Sequence, residues 1–214
     1  MTQTEQQVER TPAWAWAELQ RGNRRFVAGE PGHPRQDVER REQLVARQTP
    51  HAALFGCSDS RLAAEIIFDN GLGDLFVVRN AGQVISDSVV GSLEYAVAVL
   101  HVPLIVVLGH DECGAVRAAI DSQSPDAVAL PPHIHQLIEK IIPAVKRVSA
   151  GPDAVSPPDS TEVGREHLRD TVAELLQTSE VISDAIAAGT LAIVGANYRL
   201  LEGTAVPDII VGAV

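Results

Sequence analysis

Cysteine is scarce in this chain of 214 residues, occurring only at positions 57 and 113. Two cysteines exclude a disulfide framework of the secreted type, and they exclude a Cys₄ or Cys₃His zinc site. Basic side chains are also in short supply. Seventeen Lys and Arg face 28 Asp and Glu, a formal net charge of −11 with histidine neutral. A chain this acidic lacks the basic face that DNA, RNA or an anionic membrane surface requires, so neither nucleic acid nor membrane is an expected partner. Long apolar runs are missing as well. The longest uncharged stretch of the apolar middle, residues 95–110, contains His101 and Pro103 and is too short to span a bilayer. Residues 1–10, M-T-Q-T-E-Q-Q-V-E-R, have neither the basic start nor the apolar segment of a secretory leader, and a cytoplasmic location is expected. No G-x-G-x-x-G or P-loop pattern occurs, which argues against a nucleotide cofactor. G-L-G-D at 71–74 has no helix after it and reads as a turn. There is no internal repeat and no low-complexity segment.

What is present suffices for a folded core. The apolar fraction is 45% and the charged fraction 21%, which excludes disorder of the whole chain. Residues 1–10 read as a tail. Thr11 and Pro12 then open a helix carrying Trp14, Leu19 and Phe26, which Gly29 and Pro31 stop. Residues 36–48 read as a second, highly charged helix ended by Pro50. An arm bearing Trp14, Trp16 and Phe26 needs an apolar surface, of its own subunit or of a neighbour. From Ala52 the pattern changes. Short apolar runs at 52–56, 75–78, 104–108 and 191–196 alternate with helical spacing at 62–68, 88–100, 113–120, 132–148 and 161–188, the last in one piece or two. Residues 204–211 give a possible fifth strand. Pro207 suits an edge there, and Glu202-Gly203 suits a hairpin turn that would make it antiparallel. The expected fold is α/β, a mostly parallel sheet of four or five strands flanked by helices. One domain is expected over 1–214, with tail and helical arm at 1–50 and the core at 51–214.

The two cysteines fall at informative places. Cys57 follows A-A-L-F-G, and Cys113 follows L-I-V-V-L-G-H-D-E. Both lie just past the carboxyl ends of predicted parallel strands, where open α/β sheets build ligand sites. His110 is three residues before Cys113. Two thiolates and one imidazole form a zinc set, and three protein ligands leave a position for water or substrate. A helix starting at Gly114 would favour the Cys113 thiolate. The competing reading is two buried core cysteines and an incidental histidine; strand-end placement and the His-x-x-Cys spacing favour the metal. Asp59 and Arg61 follow Cys57 closely. Asp59 either ligates a metal, or pairs with Arg61 and accepts a hydrogen bond from a metal-bound hydroxide. A surface ion pair in an Asx-type turn is the plain alternative.

C-S-D-S-R at 57–61, F-V-V-R-N at 76–80 and G-H-D-E-C-G at 109–114 together resemble a β-class carbonic anhydrase. The resemblance is dense over 52–116 and weaker through 191–198 to the C-terminus. It implies a zinc enzyme with one Zn²⁺ per subunit. The reaction would be the reversible hydration of CO₂ to bicarbonate and a proton, by zinc-hydroxide attack. By position, Cys57, His110 and Cys113 match the zinc ligands, and Asp59 and Arg61 match the catalytic pair. In the active form Arg61 would hold Asp59 off the metal to orient the hydroxide, whereas in a closed form Asp59 is the fourth ligand. Gly114 matches a pocket-lining position, Gln48 a glutamine beside the substrate, and Phe76 and Ala81 an apolar wall. A homodimer or tetramer is implied. Zinc lowers the pKa of bound water from about 15.7 to roughly 7, which makes hydroxide available at neutral pH. His51, His101, His133 and His135 are possible proton relays, and the sequence selects none; His133 and His135 read as loop residues rather than a second metal site. Asp111 and Glu112 are expected to face solvent or partner groups. Hydrolysis of carbonyl sulfide or carbon disulfide would need the same ligands. A non-catalytic zinc or bicarbonate-responsive module is a reading of another class, and the presence of both Asp59 and Arg61 counts against it.

One departure bears on regulation. Some members of the resembled family hold bicarbonate outside the catalytic site on a tryptophan, an arginine and a tyrosine. Arg79 matches the arginine and Tyr198 the tyrosine, but Leu54 stands at the tryptophan position. With the set incomplete, strong bicarbonate inhibition through it should be absent. Crystals soaked in bicarbonate should show no anion on Arg79, and an anion bound there overturns the expectation.

Overall fold

A computed structural model describes residues 10–151, 155 and 157–214. The tail expected at 1–10 therefore lies outside the described residues except for Arg10. Helix α1, Pro12–Ala28, begins as its sequence dictates. The Thr11 hydroxyl accepts from the Trp14 N–H at 3.1 Å, and Pro12 occupies the first turn, where no backbone donor is needed. Gly29 ends it at φ 72°, and its N–H meets the Arg25 and Phe26 carbonyls. Ala15, Trp16 and Leu19 are buried against the arm's own chain. Buried Asn23 fixes that docking. Its Nδ2 donates to the Ile67 and Gly203 carbonyls at 3.1 and 2.8 Å, and its Oδ1 accepts from the Ala205 N–H at 3.0 Å.

Helix α2 corrects the sequence expectation. It spans Val38–Gln43, capped by Asp37, rather than 36–48. None of its residues is buried, and without a packed face a short charged segment does not propagate a helix.

Five strands follow: β1 Ala52–Cys57, β2 Leu75–Asn80, β3 Leu104–His110, β4 Ala192–Arg199 and β5 Thr204–Val211. They form one sheet in the order β2-β1-β3-β4-β5, parallel except for β5 against β4. The remaining helices are α3 Ala64–Ile67, α4 Asp87–Ala98, α5 Gly114–Asp121, α6 Pro132–Glu139, α7 Ile142–Ser149, α8 Ser160–Thr178 and α9 Glu180–Ala187. The single helix expected over 132–148 is two, because Pro143 has no N–H to offer the Glu139 carbonyl and its ring crowds that carbonyl. The break between α8 and α9 falls at Ser179. Its N–H closes α8 on the Leu175 carbonyl, and its hydroxyl caps α9 by accepting from the Ile182 N–H at 3.2 Å.

Side-chain alternation sorts the sheet into two apolar layers. Ala52, Leu54, Leu104, Val106, Leu108, Val194 and Ala196 pack with α1, α3, α5, α6 and α7; Ala53, Phe55, Ile105, Val107 and Ile193 pack with α4, α8 and α9. The central strands β1 and β3 are buried throughout, the pattern of a parallel sheet covered on both faces. Pro207 lies on the edge strand β5 opposite Ala196, where the register slips between Gly195 and Ala196 and no donor is missed.

Gly22 tests the docking of the arm. A Cβ there would lie 1.7 Å from the Phe68 carbonyl oxygen. Helix propensity alone predicts that Gly22→Ala stabilises by about 1 kcal/mol. The contact reverses the sign, and urea unfolding should show a loss of about 1–3 kcal/mol. A gain in stability would mean that α1 does not lie against the end of α3.

Candidate metal centre

Cys57 is the last residue of β1 and His110 the last of β3, which runs two residues further than the sequence suggested. Cys113 is the N-cap of α5. Because β1 and β3 pair directly, these three meet at the carboxyl end of the sheet. Their ligating atoms all lie within 4.8 Å of one another, and this is the only such group of His, Cys, Asp and Glu among the described residues. All three are buried, at 5%, 5% and 4% exposure. The Nδ1 of His110 lies 2.7 Å from the Asp111 carbonyl. A carbonyl only accepts, so Nδ1 carries the hydrogen and Nε2 presents a lone pair. That Nε2 is buried without a hydrogen-bond partner.

The two thiols divide their charge unequally. The Cys57 thiol is pushed down to about 4, first by the hydrogen bond from Cys113, with the Gly82 N–H assisting at 3.3 Å, against the opposing effect of burial. The same bond and burial push Cys113 upward. A thiolate, a second sulfur and an unpartnered imidazole lone pair, closely spaced and dry, fit a zinc ion. They do not fit Mg²⁺ or Ca²⁺, which take oxygen ligands.

Asp59 lies beside this group but is not part of it. Arg61 holds both of its oxygens: Nε donates to Oδ1 at 2.9 Å and Nη2 to Oδ2 at 2.7 Å, while the Arg61 backbone N–H also donates to Oδ1 at 2.9 Å. This fork, with the backbone bond added, holds the Asp59 carboxyl well below the usual range. Nη2 of Arg61 reaches on to the Glu112 carbonyl at 3.1 Å, which links the β1 loop to the β3 loop. Arg79 braces the same turn from β2. Its Nε donates to the Cys57 carbonyl at 2.9 Å and its Nη2 to the Asp59 carbonyl at 2.6 Å.

The other sequence-matched residues divide into two sets. Ala81 precedes Gly82, whose N–H meets the Cys57 sulfur, and Gly114 follows Cys113. Both are exposed, and a Cβ at Gly114 would meet nothing within 4 Å. Gln48 and Phe76 are not brought to the centre within this chain. Gln48 is exposed near the amino ends of the strands, in a cleft with Thr49, Tyr95 and His101. The five steps of β1 from Ala52 to Cys57 alone span about 17 Å at roughly 3.3 Å per residue. Phe76 pairs with Ala53 and packs in the opposite layer, its ring 6.1 Å from that of Tyr95. Arg79 and Tyr198 lie on β2 and β4, three strand spacings apart, about 14 Å at roughly 4.8 Å each. Of the four candidate relays, His51 and His101 sit before β1 and β3, at the far end of the sheet. His133 and His135 stand on helix α6 rather than in the loop expected of them, because the helix opens at Pro132; His135 is exposed, and His133 lies in a cleft with Arg79 and Asn80. The Asp111 carboxylate accepts from the Leu200 N–H at 3.0 Å and Glu112 is exposed, as expected of both. Sequence reasoning passed over Gly82, whose N–H meets the Cys57 sulfur, and His167, whose Nε2 meets the Gly82 carbonyl at 2.7 Å; backbone contacts of this kind carry no motif.

Comparison with known proteins places the chain among relatives of one kind. The carbonic anhydrase family profile matches residues 52–205. Carbonic anhydrase 2 of Mycobacterium tuberculosis is 52% identical over 195 residues, covering 91% of this chain and 92% of that one. A carbonic anhydrase of Mycolicibacterium smegmatis is 49% identical over 192 residues, covering 90% and 91%. Among solved structures, a Coccomyxa β-carbonic anhydrase in complex with acetazolamide superposes with a TM-score of 0.68 at 25% identity, covering 80% of this chain and 78% of that one.

Because Cys113 keeps its proton in the sulfur pair, cation binding should release at least that proton. Apparent zinc affinity, measured by chelator competition, should rise about tenfold per pH unit for one proton released. Cys57→Ser should abolish stoichiometric zinc, and retention of one zinc per chain would remove Cys57 from the ligand set.

Proposed function

Because this chain belongs to the β-class carbonic anhydrase family, and is therefore a carbonic anhydrase, we propose that it hydrates CO₂ at the Cys57, His110 and Cys113 centre with one zinc ion per chain. The observation that carries this reading is the buried three-donor group, in which the unpartnered Nε2 of His110 lies beside two sulfurs. Zinc bound there would lower the pKa of water from about 15.7 to roughly 7 and so supply a nucleophile at neutral pH.

The chain's own residues orient the reaction. His110 is fixed in the ligating tautomer by its bond to the Asp111 carbonyl. Asp59, ionised throughout the neutral range because Arg61 holds its carboxyl low, would accept a hydrogen bond from the attacking water and direct its lone pair at carbon. Arg61 occupies both Asp59 oxygens, which supports an open resting arrangement over one in which Asp59 closes on the metal. CO₂ carries no charge to grip, and the small residues Ala81 and Gly114 leave room beside the centre for it. Bicarbonate leaves, and the proton passes to buffer. Carbonyl sulfide and carbon disulfide would suit the same donors, but carbonic anhydrases at 52% and 49% identity favour CO₂.

We read 1–214 as one domain working as a homodimer or tetramer. The apolar arm does not support this, since α1 packs on its own chain. The support is elsewhere. β2 is an unpaired edge of the sheet, Leu72, Tyr95 and Val99 stand exposed, and Gln48 and Phe76 lie too far from their own centre to serve it. Two free, buried cysteines suit a reducing cytoplasm. Among the described residues no helix is long and apolar enough to cross a membrane.

Stopped-flow CO₂ hydration by zinc-replete protein should be fast and rise with pH between about 6.5 and 9. Asp59→Asn should keep zinc and lose roughly 10–100-fold in rate. Wild-type rates in that variant would make Asp59 a bystander, and zinc-replete wild type without hydration would turn attention to the sulfur substrates.

A further inference from the structure

The Gly82 N–H that meets the Cys57 sulfur is presented by a loop under tension. Gly82 has φ 78° and Gln83 φ 42°, two consecutive residues in the left-handed region, the second with a side chain. Such a loop keeps its shape only when neighbours hold it. Asn80 brackets it from β2: its Oδ1 accepts from the Val84 N–H at 2.9 Å, and its Nδ2 donates to the Val84 carbonyl at 2.7 Å. From the opposite side α8 supplies two residues one turn apart. The Nε2 of His167 lies 2.7 Å from the Gly82 carbonyl, and the Thr171 hydroxyl meets the Gln83 carbonyl at 3.4 Å and the His167 carbonyl at 2.9 Å. His167 is 2% exposed, and burial pushes its pKa down, so the ring is neutral. The Gly82 carbonyl can only accept, so Nε2 is the nitrogen that carries the hydrogen. Across the loop, a Cβ on Gly82 would lie 2.8 Å from the Ala115 Cβ and 3.1 Å from the Ile141 Cδ1. Gly82 is thus held from both sides of its Cα: the N–H of its peptide with Ala81 lies on the sulfur, and the carbonyl of its peptide with Gln83 lies on His167.

We propose that His167 is a positioning residue of the metal centre: by holding the Gly82 carbonyl it keeps the Gly82 N–H on the Cys57 sulfur and so sets how much charge that sulfur gives to a bound cation. This rests on Cys57 being a metal ligand. An N–H bond draws charge from a thiolate and fixes its direction, and outer groups of this kind change metal affinity by about 10–100-fold when removed. The geometry predicts a dependence on the donor at residue 167, beyond mere filling of its space.

The test uses the full chain with cobalt in place of zinc, as wild type, His167→Phe and His167→Gln. Phenylalanine fills the site without a donor, and glutamine returns an amide N–H near the position of Nε2. In His167→Phe the sulfur-to-cobalt charge-transfer band should move to longer wavelength, because the sulfur regains donor strength. Zinc affinity by chelator competition should nevertheless fall about tenfold or more, because the sulfur is no longer held in the ligating direction, and this loss outweighs its regained charge. His167→Gln should recover both. A His167→Phe protein that folds by circular dichroism and keeps the wild-type band and affinity overturns the proposal. A wild type with no sulfur-to-cobalt band overturns the ligand role of Cys57 and this inference with it, which separates the two failures. Should His167→Phe not fold, NMR of cadmium-substituted wild type decides: a coupling between the Gly82 amide proton and the metal supports the proposal, and its absence overturns it.

Discussion

Parallel pairing of β1 with β3 sets Gly56 opposite Leu108 and carries Cys57 and His110 to the same end of the sheet, and the whole centre depends on that register. After β1 the chain runs outward to β2, then crosses back over β1 to lay down β3 on its other side. The loops after β1 and β3 therefore leave in opposite directions, and a crevice opens between them, where open α/β sheets hold their ligands. Residues distant in sequence meet there without any loop having to reach. The register is secured by burial. β1 and β3 are covered on both faces, and a slip of one residue would exchange their two apolar layers.

Around that crevice the polar groups hold one another in place. Arg61 fastens the Asp59 carboxylate and also reaches the carbonyl of Glu112, so one side chain spans both loops. Arg79 ties the turn after Cys57 to β2. His167 does the same from α8 through Gly82. In an acidic chain the guanidiniums of Arg61 and Arg79 stand close to the one place where a carboxylate and a thiolate must keep fixed geometry. The sulfur pair and the unpartnered Nε2 of His110 are left together as closely spaced buried donors.

The parts of this design that could be read from sequence are those governed by local chemistry. Branched residues at 104–108 announce a buried strand, Thr11-Pro12 announces a helix start, and Pro207 announces an edge. The three-donor group was visible because strand ends and short motifs place Cys57, His110 and Cys113 without knowledge of tertiary contacts. Other features were not visible. The charges of 36–48 suggest a helix, but its length is decided by burial that α2 does not have. Pro143 divides α6 from α7 although the apolar spacing continues across it. Gln48 and Phe76 match their motif positions, yet a position along a chain says nothing of which end of the sheet or which face it will occupy. His167 meets Gly82 across 85 residues through a backbone carbonyl, and a contact of that kind leaves no pattern in side-chain identity.

The anchoring of the arm by Asn23 has a consequence for the order of assembly. Its partners at Gly203 and Ala205 are made some 180 residues after it. While the chain is being synthesised, α1 and its contacts at Ile67 and Phe68 are made well before β5, which completes its landing place. Every strand end that contributes to the metal crevice is already in existence when the arm finally closes. Until then Asn23 lacks its partners at Gly203 and Ala205, so an interrupted chain carries an arm that is only partly anchored. The last hairpin thereby completes the fastening of the first helix.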